Sequence, residues 1–132
     1  MVVVLGAAVW HVMDKANRIE REAARARIQR SEVSCDDLEL QPGYGSAAYR
    51  LLGRIRNKSQ RYTLTELKLK LTMRDCNAQG DCETVGETEE SIYVTIPPGQ
   101  ARDLDEHVYF SHLGQLRGRL QWDYQILEIQ GR

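Results

Sequence analysis

A chain of 132 residues is long enough for one domain and too short for two of ordinary size. Its apolar share of 42% is sufficient for a packed core and excludes a disordered chain, while a net charge of −1 excludes a globally basic nucleic-acid binder. The near-neutral total conceals two opposed halves. Residues 46–74 carry eight basic side chains against Glu66 alone, and residues 75–106 carry nine acidic ones against Arg102 alone.

In chain order, Val2 to Met13 is apolar except for His11, and Asp14 ends the run. Twelve helical residues reach about 18 Å, against the roughly 30 Å of a bilayer core. Three readings follow: a transmembrane helix whose upstream residues are missing, the apolar part of a signal peptide, or a helix buried against its own domain or a partner. The anchor reading is favoured by Trp10, an aromatic suited to the membrane interface. A signal peptide would need a basic segment before the run and a small-residue cleavage site after it, and neither is present. Asp14 to Arg30 lacks Gly and Pro and is rich in Ala, Arg and Glu, so it predicts a solvated helical stalk. Its Lys15, Arg18, Arg21, Arg25, Arg27 and Arg30 could also touch anionic headgroups. The expected division is an anchor and stalk over 1–30 and a folded domain over 31–132.

Beyond Ser31, alternation replaces the helical texture. Leu67, Leu69, Leu71 and Met73 alternate with Lys68, Lys70, Thr72 and Arg74, which is the pattern of a half-buried strand. Tyr49, Leu51, Gly53 and Ile55 alternate in the same way with Arg50, Leu52, Arg54 and Arg56. Ile92, Val94 and Ile96 form a third set, and Leu104, Glu106, Val108 and Phe110 a fourth. Leu120, Trp122, Tyr124 and Ile126 form a fifth, after which Leu127 and Ile129 switch faces, predicting a bulge or a change of partner. Val33 to Leu40 and Cys82 to Val85 add shorter candidates, and turn residues such as Pro42-Gly43 and Pro98-Gly99 separate the runs. The expectation is an all-β fold: an antiparallel β-sandwich of about seven strands preceded by an N-terminal α-helix.

Cys76 and Cys82 bracket five residues between two predicted strands. A hairpin there sets them opposite each other at the separation a disulfide requires, which points to an oxidising, extracytoplasmic or periplasmic compartment; the alternative is two unpaired thiols in a reducing one. The basic flank of the apolar run argues the other way, because positive charge favours the cytoplasmic side. Cys35 remains unpaired as a small apolar strand residue or a free thiol.

Three short stretches resemble the FxLYD-type domains, small immunoglobulin-like sandwiches of extracytoplasmic proteins. Gly53-Arg54-Ile55-Arg56-Asn57-Lys58-Ser59 is similar to their strand end and turn. Leu71-Thr72-Met73-Arg74-Asp75, followed by Gly80, falls where the naming motif stands, with only Asp75 retained from it. Pro97-Pro98-Gly99-Gln100 resembles a later Pro-Gly turn. The likeness covers about residues 49–110 and implies a binding or accessory module.

No catalytic or metal-binding constellation stands out, and no cofactor is expected. His107 and His112 are five apart, which points them to opposite faces of a strand. Asn57-Lys58-Ser59 fits a glycosylation pattern, but it coincides with a turn in which Asn and Ser are favoured. The leading candidate is a basic face made of Arg50, Arg54, Arg56, Lys68, Lys70 and Arg74. Like charges across a ladder require neutralisation. Glu83, Glu87 and Glu89 could supply it from an adjoining strand, or an anionic partner could, either lipid headgroups or an acidic protein surface. The expected function is a membrane-tethered, non-catalytic adaptor contacting protein partners, with the membrane held through residues 2–13. The rival expectation is a ligand-binding or enzymatic sandwich with a pocket near Trp122 and Tyr124.

Overall fold

The structure, a computed structural model, describes residues 27–45 and 47–132. Six strands run through them: β1 (Val33–Pro42), β2 (Ala48–Asn57), β3 (Leu64–Cys76), β4 (Cys82–Ile96), β5 (Ala101–Tyr109) and β6 (Arg119–Gly131). They form two antiparallel three-stranded sheets, ordered β1-β2-β5 and β4-β3-β6. One hydrophobic cluster draws on both sheets, with Leu51, Ile55, Leu104 and Val108 from the first and Leu67, Leu69, Leu71, Met73 and Ile92 from the second, giving a sandwich-like arrangement. Phe110 lies fully buried just beyond β5, and its ring meets Tyr49 edge to face at 5.7 Å.

The alternation in β3 is realised as expected: Leu67, Leu69, Leu71 and Met73 are buried, and the intervening charged residues face out. The number of strands differs. Cys82–Val85 and Ile92–Ile96, expected as separate strands, are parts of one 15-residue β4. Its pairing with β3 slips once near Val85 and again between Tyr93 and Ile96, so its periodicity is interrupted without the strand ending. The face switch after Ile126 is a bulge, since Lys68 pairs with Glu128 and Leu69 with Ile126, leaving Leu127 as the extra residue.

A further bulge lies in β1, where the register slips between Asp36 and Glu39 opposite Gly53. A Cβ on Gly53 would stand 2.6 Å from the Leu38 side chain, so the missing side chain leaves the space that Leu38 fills. Ile28, expected in the helical stalk, is 3% exposed and packs into the core against Gly131. The packed domain therefore starts ahead of Ser31. Residues 30–32 form a single 3-10 turn in which the Glu32 carboxylate accepts the Gln29 N–H. The anchor and most of the stalk expected over 1–30 lie outside the described residues, among which there is no α-helix.

Candidate functional site

The six cations expected to form one basic face are divided between two sheets. Arg50, Arg54 and Arg56 project from the outer face of β2, and Lys68, Lys70 and Arg74 from the outer face of β3. Alternation fixed their outward direction, but successive strands here belong to opposite sheets. Each cation reaches a carboxylate. Arg50 engages Asp105 through two nitrogens, at 2.7 and 3.3 Å. Arg54 meets Asp103 at 3.2 Å, Arg56 meets Asp36 at 3.7 Å, Lys68 meets Glu89 at 3.5 Å and Lys70 meets Glu87 at 3.7 Å; Arg74 pairs with Asp123. Four of the six carboxylates come from the acidic half of the sequence. The register explains the match, because β3 runs antiparallel to β4 and β2 to β5, setting basic strands beside acidic ones. Glu83 stands opposite Asp75 and, among the described residues, joins no ion pair.

The paired geometry shifts protonation where it is tightest. The hydrogen bond from Arg50 holds Asp105 below the usual carboxylate range, and the same bond raises the Arg50 guanidinium further above its ordinary value. On the opposite flank, burial and then the neighbouring Asp36 push the Cys35 thiol up to about 11. Burial also raises the Tyr124 hydroxyl, with Cys35 and then Asp36 contributing.

Cys76 and Cys82 are cross-strand partners joined by a disulfide, with Cα atoms 4.1 Å apart. Asn77 closes the hairpin by accepting the N–H groups of Gln79 and Asp81 on its side-chain oxygen. Beside it, the Asp75 carboxylate accepts the N–H of Arg117 at 2.8 Å and of Gly118 at 2.7 Å, which fastens the segment before β6 to the hairpin. A Cβ on Gly118 would collide with the Cys76 carbonyl oxygen, so only glycine lets the two backbones approach this closely. The cavity here, about 800 Å³, is lined by Asp75, Asp81, Glu83, Arg117 and Arg119 among others.

At the other end of the sandwich, Asn57 is fully buried. Its side-chain nitrogen donates to the carbonyls of Tyr62 and Ile96, and its oxygen accepts the Ser59 N–H. Its backbone N–H donates to Gln100, and its carbonyl accepts from Gly99. Asn57-Lys58-Ser59 is thus a structural joint between the β2–β3 turn and the Pro97–Gln100 turn, and Asn57 has no room for a glycan.

Trp122 packs half-buried on the core, with its ring 6.5 Å from that of Tyr124, which is 39% exposed. Neither lines the hairpin cavity, a cavity of about 340 Å³ beside Pro42, Tyr44, Arg50 and His107, or one of about 380 Å³ beside Arg27, Lys58 and Arg61. Among the described residues, no three His, Cys, Asp or Glu side chains gather to hold a metal ion, and no helix is long and apolar enough to cross a membrane.

Two further surfaces emerge only in the folded protein. Tyr44 is 99% exposed and Tyr109 64% exposed, and both lie at the end of the first sheet remote from Asn57. Arg50, Asp105 and His107 stand beside them on the same outer face. The signal available was an aromatic directly after the Pro42-Gly43 turn. The second surface is the cationic end around Lys58 and Arg61. No protein-family model matches the chain, and no curated protein or solved structure does either.

Proposed function

We propose that this chain is a non-catalytic accessory module, tethered to a membrane through residues 2–13, whose β-sandwich makes protein–protein contacts in the extracytoplasmic or periplasmic space as a small subunit of a membrane complex. The observation that carries the reading is the pair of exposed tyrosines, Tyr44 and Tyr109, flanking the Arg50–Asp105 pair. Tyrosine and arginine are the side chains most enriched where protein interfaces concentrate their binding energy. The patch sits at the end of the sandwich opposite Arg27, where the N-terminal segment joins, so on a tethered domain it faces away from the membrane.

Three further features support the reading. The Cys76–Cys82 disulfide suits an oxidising compartment. The order β1-β2-β5 over β4-β3-β6 corresponds to strands A-B-E over C′-C-F of an immunoglobulin-like sandwich. The FxLYD resemblance implies a module of the same kind; in this chain Asp75 and the Asn57–Ser59 turn each hold two segments together.

Photo-crosslinking residues placed at 44 and 109 in the full chain, expressed in its native cells, test the proposal. They are expected to give one discrete adduct in detergent extracts, with none from a control at Glu90. A chain that stays monomeric and free of adducts from both positions would contradict it.

A further inference from the structure

The neutralised outer faces of the sandwich contrast with the end where the chain enters it. That end gathers the start of β1, the end of β2, the start of β3 and the end of β6. Arg27, Lys58 and Arg61 line one cavity there with Glu32, Ser59, Gln60 and Tyr62, and the Arg27 guanidinium lies 5.9 Å from the centre of the Tyr62 ring. Arg30 precedes the 3-10 turn's last residues, and Arg132 is held to Thr63 through backbone hydrogen bonds. Arg102, on the adjoining end of β5, donates to the Ala101 carbonyl and the Gln100 side chain. Among the described residues, none of these six cations has a carboxylate within ion-pair distance, whereas all six on the strand faces do. Among the described residues, Glu32 is the one carboxylate lining the cavity, and it accepts the Gln29 N–H. Arg117 and Arg119 also lack an ion pair among the described residues, but they line the hairpin cavity together with Asp75, Asp81 and Glu83, so of the two poles it is the entry end that the described residues leave cationic.

We infer that this pole, centred on Arg27, Lys58 and Arg61, docks onto the anionic headgroups of the bilayer that receives residues 2–13. The inference rests on the tethering proposed above. Charge complementarity identifies the occupant, and chain connectivity places it. Residues 14–26 are the whole link between the apolar run and Arg27, and they cannot extend beyond about 45 Å. A link of that length holds the pole at high effective concentration over the surface, so weak electrostatic contacts are enough. A Lys or Arg close to an anionic leaflet contributes enough for roughly a fivefold change in partitioning, and the contribution fades within a Debye length. Docking at this pole also orients the domain, directing Tyr44 and Tyr109 outward.

The test measures partitioning of the full chain onto vesicles of phosphatidylcholine alone and of phosphatidylcholine with phosphatidylglycerol. Wild type is expected to bind the anionic vesicles more tightly, and about 1 M salt, with a Debye length of about 3 Å, is expected to abolish the excess. The triple variant Arg27→Gln, Lys58→Gln, Arg61→Gln should lose on the order of 100-fold of it. The charge-retaining Arg27→Lys, Lys58→Arg, Arg61→Lys should keep it. Equal wild-type binding to both vesicle types, or an excess that survives in the glutamine variant, would overturn the inference. Binding to neutral vesicles reports on residues 2–13 separately: its loss with the anionic excess intact removes the tether and leaves the pole standing.

Discussion

Arg50 and Asp105 grip each other through two nitrogen–oxygen contacts across the outer face of the first sheet, although His107 is the residue directly opposite Arg50. The diagonal pairing recurs at Lys68–Glu89 and Lys70–Glu87, where it joins a basic strand to an acidic one. Because the bond holds Asp105 below its ordinary value, its stabilising contribution is complete above the unfolded carboxylate value, about 3.9. The contribution is lost as pH falls through the lower folded value. Carboxyl-resolved NMR titration should find Asp105 protonating below the ordinary range, and Arg50→Gln should return it there. An Asp105 unaffected by that substitution would contradict the pairing.

Cys35 titrates in the opposite sense. With its folded value raised from 9.0 to about 11, the stabilisation from the neutral thiol is complete below 9.0 and is lost as pH rises through 11. Native protein should therefore resist iodoacetamide at neutral pH and react once unfolded, because only the thiolate attacks. Cys35→Ala should flatten the alkaline limb of the stability profile. Rapid labelling of Cys35 in folded protein at pH 7 would refute its burial.

Asn57 is the most exacting polar position. Asn57→Ala leaves the Ile96 carbonyl and the Ser59 N–H without this partner, and the Tyr62 carbonyl with the Ser59 hydroxyl alone. Buried groups stranded in this way cost about 1–3 kcal/mol each, so a loss of roughly 3 kcal/mol or more is expected in urea unfolding. Expression in a glycosylating host should yield no glycan at this position.

The Cys76–Cys82 bridge closes so short a loop that removing it should cost only roughly 2–2.5 kcal/mol. Cys76→Ala with Cys82→Ala should lower the urea midpoint while retaining the β circular-dichroism spectrum. Global unfolding on reduction would show that the bridge holds up more than its hairpin.

Strand faces were legible in the sequence because a period of two assigns side chains to faces whatever the strand's neighbours are. That is why Leu67 to Met73 fell inward and the extra residue at Leu127 was visible. The cysteine spacing similarly carried the hairpin. Sheet membership was not legible, since nothing local tells β3 to leave the sheet of β2; the basic face therefore divided in two. The β1 bulge is encoded by a glycine on another strand, Gly53, whose missing side chain matters only once Leu38 arrives. Asp75 read as one retained motif residue, yet its acceptors serve amides more than forty positions away. The cationic pole emerged last, because it is defined by which charges the folded sheets leave unpaired.

As proposed, the sandwich is held at the outer surface of a membrane by residues 2–13. The most direct measurement of this is external-protease digestion of cells with permeabilised envelopes, after confirming that the full chain stays in the membrane pellet through an alkaline carbonate wash. Membrane retention is expected, with loss of the sandwich to protease while a cytoplasmic marker survives. A chain released by the wash, or one shielded from protease together with the marker, would contradict it.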